Sequence, residues 1–176
     1  HSLELAGIVA FCLSLFNIII ALMSPLNIIL LPEASKIIAN KQNSKLRSIG
    51  VKLLYLAIVV GCVALVIILF FGQFILSVFD VENVKRSGEL LVIVFTGVVG
   101  YSVFSIIRSI VDAYYKRALM TLIIGGAFFI YVLILLVMNY IGINSVENIL
   151  IGLSFSVNIL GVFTFYALQN IFKRLA

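Results

Sequence analysis

The sequence predicts an all-α fold, a polytopic membrane helix bundle of about five spans. Charge is absent from five long stretches, 5–32, 53–79, 90–107, 118–146 and 148–172. A helix needs about 20 mostly apolar residues to cross a hydrocarbon core about 30 Å thick, and each stretch reaches or approaches that length. Composition agrees: hydrophobic residues make up 64% of the chain and charged residues 11%, against about 45–50% and about 25% in soluble domains. The apolar runs are also continuous, as at Ile18, Ile19 and Ile20 and across 63–71. A β-barrel, the other structure able to span a bilayer, shows alternating segments of about ten residues instead.

The elements follow in chain order. The first span contains Pro25 and ends against Pro32. Proline removes a backbone donor and crowds the preceding turn, so Pro25 is expected to kink this helix and is the candidate hinge. Beyond Pro32 the helix continues out of the membrane, with Ile37 and Ile38 at the interface and Lys36 and Lys41 in water. A polar loop at 41–45 leads to the second span, for which Ser44 is the candidate N-cap. An outer loop at 80–89 opens the third span, read as one long helix. The turn at 114–117 is so tight that the third and fourth spans must be antiparallel neighbours. A short loop at 141–145 joins the fourth to the fifth.

Charge sets the orientation. Lys and Arg gather on the cytoplasmic side of short loops. The segment 32–52 holds Lys36, Lys41, Lys45, Arg47 and Lys52 against one acid, Glu33; Arg108, Lys116 and Arg117, then Lys173 and Arg174, return at the same end. Ten of the twelve basic residues therefore share one side, which places His1 outside and Ala176 inside a cell (cytoplasmic) membrane. The net charge of +5 marks helix ends, not a nucleic-acid surface.

Polar atoms inside a span are costly against lipid, so their angular positions report which face meets protein or water. In the third span Ser102, Ser105, Ser109 and Asp112 recur at three, four and three residues and share one face. Arg108 lies at the edge of that stripe, four before Asp112, where the two can pair. The first span has Ala10, Ser14, Asn17, Ala21 and Ser24; the fifth has Ser154, Asn158, Gly161 and Phe165. Small residues let membrane helices approach closely, and Gly97, Gly100, Gly125, Gly126, Gly152 and Gly161 fit that role.

Catalysis is not expected. The chain has no GxxxxGK[ST] nucleotide motif, no His, Cys or carboxylate set at metal-ligand spacing, and no paired acids in a stable extramembrane unit. No cofactor or metal is implied. Cys12 and Cys62 lie inside spans as small hydrophobes. No linker divides the chain, so residues 1–176 read as one transmembrane bundle. The first residue is His1, and no signal peptide is readable before the first span; a piece of a longer protein is the expectation.

One ordered set of motifs carries a resemblance. A span ends in Leu31-Pro32-Glu33-Ala34-Ser35-Lys36, followed by a short basic loop and a helix starting near Leu46. The next span closes with Phe70-Phe71-Gly72-Gln73-Phe74-Ile75-Leu76-Ser77-Val78-Phe79. After a short acidic loop comes a long helix bearing Arg108 and leading through Asp112-Ala113-Tyr114-Tyr115-Lys116-Arg117. This order, covering 26–117, resembles the multidrug/oligosaccharidyl-lipid/polysaccharide exporter superfamily.

Such proteins have two pseudo-symmetric lobes of about six helices around a cavity that alternates between the membrane faces. The resemblance implies that this chain supplies most of one lobe, the C-terminal one, with the remaining lobe of the same protein and membrane lipids as partners. The likeness is best to polysaccharide (O-antigen-type) flippases, which implies a lipid-linked glycan as substrate and no nucleic acid. On that basis Arg108 is the first candidate contact for an anionic group, with Asp112 orienting it. Lys36 and Arg117 are candidates at the entrance, and Asn17 and Ser105 on the cavity wall. Two alternatives stay open. One is a cation-coupled multidrug and toxin extruder, for which Glu4 is the candidate carboxylate. The other is a non-transporting membrane scaffold of a glycan-assembly complex.

Overall fold

The computed structural model describes residues 2–79, 84–115, 118–143 and 145–175, apart from the side chains of 2–5 and 24. Among them are six helices: α1 (Ser2–Ala39), α2 (Asn43–Val78), α3 (Val84–Phe95), α4 (Val98–Tyr114), α5 (Leu119–Ile141) and α6 (Val146–Leu175). Five units are long and apolar enough to cross a membrane, the third being α3 and α4 together. The all-α bundle of about five spans is thus the fold observed, with one difference. The third span is two helices, not one.

α1 runs on through both Pro25 and Pro32, and at about 1.5 Å per residue its 38 residues extend roughly 57 Å, well past the hydrocarbon core. The helical extension expected beyond Pro32 is therefore present. The cap expected at Ser44 is not. Lys41 adopts a left-handed backbone (φ 55°), which turns the chain so sharply that the Gln42 N–H donates to the Ile37 carbonyl at 3.1 Å. The Gln42 carbonyl then accepts the first bond of α2, from Leu46 N–H at 3.0 Å. Gln42 is the N-cap, without a side-chain capping bond, and Ser44 falls inside the first turn.

α4 occupies the middle of the bundle, packed by α1, α2 and α6. α3 sits against α2, α6 and α1. The adjacency expected of the third and fourth spans is present but slight, because α5 lies mainly on α6, where Ser156 Oγ donates to the Ala127 carbonyl at 2.6 Å. Two buried apolar clusters fill the interior, one around Ile106, Ile107, Ile110 and Leu168 and one around Phe95, Leu90, Leu91 and Leu76. Outside, Leu22, Phe70, Leu122 and Tyr166 stay exposed. That skin is what lipid, and not water, would solvate.

The α4–α6 contact depends on missing side chains. A Cβ on Gly161 would lie 2.5 Å from the Gly100 carbonyl oxygen, and one on Gly100 would lie 2.5 Å from the Asn158 Cα. Backbone therefore touches backbone. Gly125 and Gly126 do not play the part expected of them: nothing lies within 4 Å of a Cβ built on either, since α5 turns that edge away from its neighbours.

The break in the third span falls at Thr96 and Gly97, near its middle. A helix end in hydrocarbon leaves backbone groups without partners, at several kcal/mol each. Asn158 of α6 supplies both halves of the remedy. Its Nδ2 donates to the Thr96 carbonyl at 3.0 Å, and its Oδ1 accepts from the Gly100 N–H at 3.2 Å. Ser154 Oγ, one turn away, donates to the Ile93 carbonyl at 2.7 Å. The α6 stripe read from the sequence is thus a clamp on an interrupted neighbour. At the acidic end Arg86 meets Glu147 at 3.3 Å; both are well exposed, so the pair contributes at most about 1 kcal/mol.

Candidate functional site

At the basic end, α1 meets α4 through side chains and not through backbone. Ser109 Oγ donates to Asn27 Oδ1 at 2.7 Å, and Asn27 Nδ2 donates to Ser105 Oγ at 3.5 Å. The two serines are one helical turn apart on α4, so a single amide spans both. Both are buried. Polar atoms are expensive in lipid, and this three-residue link satisfies them between the helices.

Arg108 and Asp112 stand beside that link. Arg108 Nε donates to Asp112 Oδ2 at 3.2 Å, the pairing expected from their spacing. Neither is sequestered: the side chains are 49% and 33% exposed. The guanidinium also lies over the Phe104 ring, 5.8 Å from its centroid, a cation–π arrangement worth about 0.5–1 kcal/mol at an exposed site. Phe104 in turn meets Tyr101, and Tyr101 meets Phe16 of α1. An aromatic ladder therefore backs the cation.

A cavity of about 400 Å³ opens here, lined by Asn27, Ile28, Leu31, Arg108, Ser109 and Asp112. Its floor is the Asn27–Ser109 hydrogen bond and its rim is the Arg108–Asp112 pair. Guanidinium carries five N–H donors in a planar fork. The pair with Asp112 engages Nε, and the side chain that lines the opening is half exposed. Planar forks of this kind suit phosphate and carboxylate oxygens.

The remaining sequence candidates disperse. Ser105 is buried in the seam, behind the cavity, where it holds Asn27. Asn17 is exposed and lies about 80° around α1 from Asn27, on a face shared with the exposed Ala10, Ser14 and Ala21. Ser14 bonds its own helix, to the Ala10 carbonyl at 2.8 Å. Lys36 is exposed, but nine residues from Asn27 puts it about 180° around the helix, away from the cavity. Pro25 is exposed on α1, two residues before Asn27. Arg117 lies outside the described residues, as do the side chains of Glu4 and Ser24.

Asn27 was not among the sequence candidates. The signal was available: a carboxamide in a charge-free span is as costly as a serine, and it follows the hinge proline by two positions. It falls off the spacing that linked Ala10 to Ser24, so the stripe passed it by.

Residues 1–141 match the MatE family model. The chain belongs to the MatE family. It is accordingly a multi-pass membrane transporter of the multidrug/oligosaccharidyl-lipid/polysaccharide exporter superfamily, a family of transporters and not of enzymes. No curated protein and no solved structure matches the chain. In this MatE chain the matched segment holds α1 to α5 and so contains the whole cavity at the α1–α4 seam.

Proposed function

We propose that this MatE transporter moves lipid-linked oligosaccharide or polysaccharide precursors across the cytoplasmic membrane by alternating access, working with a second lobe of the same protein. The observation that carries this reading is Arg108. It is a cation held at the mouth of a polar cavity by Asp112, with donors left over for the phosphate oxygens of such a cargo. The α4–α6 contact is the fixed frame, and α1 rocks against it at the seam, with Pro25 as the bend. Backbone contact between glycines has no second arrangement, whereas hydrogen bonds among Asn27, Ser105 and Ser109 can be exchanged for bonds to water or cargo.

A cation extruder requires a carboxylate on the cavity wall that is free to take a proton or an ion. Asp112, the carboxylate lining this cavity, is occupied by Arg108. A dry scaffold would need no charged rim at all. The test is Arg108→Ala in the whole protein, reading the appearance of lipid-linked glycan in the outer leaflet at matched protein level. Loss of at least about tenfold, from removal of a charge-assisted contact worth about 1.5–3 kcal/mol, is expected. Unchanged export, or drug efflux lost in its place, would overturn the assignment.

A further inference from the structure

α2 and α6 barely touch along most of their length, and two recesses open in the cleft between them. One, of about 680 Å³, lies at the basic end and is lined by Ser44, Arg47, Ser48, Lys52, Phe172 and Leu175 among others. No acid contributes to its lining. The other, of about 350 Å³, lies deeper in the span and is lined almost wholly by apolar groups, including Leu54, Ile58, Val103, Val162 and Phe165. Arg47, Val51, Leu54 and Ile58 recur at four, three and four residues, so one flank of α2 borders both.

We propose that this cleft binds one anionic phospholipid of the leaflet at the basic end. Its phosphate is met by Arg47, Lys52, Ser44 and Ser48, and an acyl chain lies along α2 toward Phe165. Three features favour that occupant. The polar recess carries two cations and two hydroxyls without a compensating carboxylate, which suits an anionic headgroup. The shift from polar to apolar lining follows the axis in the direction a lipid requires. From Arg47 to Ile58 is eleven residues, about 16 Å of rise, and one leaflet's share of the hydrocarbon is about 15 Å.

The recess has a fixed wall. Phe172 packs over Gly50, where an added Cβ would fall 2.7 Å from the ring, so the helices are held together beside the pocket. It is also separate from the transport cavity: Val99, which lines the deeper recess, lies about 180° around α4 from Arg108. The bound lipid is therefore a resident of the frame and not cargo. The inference rests on the membrane reading of the family and not on which substrate is moved.

The test uses the whole protein, purified in detergent and studied by native mass spectrometry with phosphatidylglycerol and phosphatidylcholine added together. The native protein is expected to retain phosphatidylglycerol preferentially. Arg47→Gln with Lys52→Gln should lower that preference by about thirtyfold, since each of the two cations near an anionic headgroup counts about 1 kcal/mol. Lys173→Gln with Arg174→Gln removes the same charge outside the recess and should leave the preference nearly intact. Ser44→Ala with Ser48→Ala keeps every charge and should weaken phosphatidylglycerol retention at least about fivefold, the loss of two hydrogen bonds alone. Equal losses in the two charge-removing variants, or no lipid preference in the native protein, would overturn the site. Displacement of the lipid by glycerol 3-phosphate, which has the anion without the chains, would overturn the lipid as its occupant.

Discussion

α4 has two seams built on opposite principles. Against α6 it presents Gly100, and the backbones approach until a single methyl group would collide. A large polar residue there, Asn158, is bonded to backbone on both sides of the α3–α4 break. Against α1 the contact is made by polar side chains, Asn27 with Ser105 and Ser109, beside a cavity with a charged rim. Backbone packing in lipid is an all-or-none fit; exchangeable side-chain hydrogen bonds are not. A transporter needs one of each, a frame that holds and a joint that works.

The sharpest way to break this contrast is at the glycines. Gly161→Leu should prevent recovery of folded protein, because the Gly100 backbone cannot retreat, whereas Gly125→Leu should be tolerated; size-exclusion profiles and melting temperatures compare them. Recovery of well-folded Gly161→Leu would mean the frame is softer than its geometry. Next comes Asn158→Leu. It leaves the Thr96 carbonyl and the Gly100 N–H without partners, at about 1–3 kcal/mol apiece, and should lower the melting temperature clearly.

At the α1 seam the balance reverses. Asn27→Leu should cost less stability, since the Ser105 and Ser109 hydroxyls can turn to carbonyls of their own helix where the backbone groups at Asn158 cannot, yet reduce transport severalfold. A large drop in melting temperature with transport per folded molecule unchanged would make Asn27 structural only. The smallest effect belongs to Ser102→Ala. Ser102 Oγ bonds its own helix, at the Val98 carbonyl, 2.8 Å away, so neither folding nor transport should move by more than about 0.5 kcal/mol.

Much of this fold was legible because lipid imposes so strong a rule. Charge-free stretches gave the spans, and spacing of four gave the Arg108–Asp112 pair. What was hidden depended on depth and rotation. The break at Thr96 and Gly97 carries no proline and no polar run; it exists because Asn158, sixty residues on, can satisfy both ends. Ala10, Ser14, Asn17 and Ala21 share one face of α1, but that face is exposed and does not line the cavity, because which way it turns is set by α4. Asn27 was hidden for the same reason in reverse, a lone polar residue whose partners lie on another helix. Gly125 and Gly126 show that small residues permit close approach without requiring it.

The division of α4 into a fixed and a moving seam is tested most directly by paired spin labels in the whole transporter, with Cys12 and Cys62 replaced by alanine. One pair, at Ala39 and Ala113, spans α1 and α4; the other, at Ala113 and Gln169, spans α4 and α6. The first distance should take two values whose populations shift when lipid-linked glycan is added, while the second stays single and unchanged. Movement of the second pair along with the first would contradict the account.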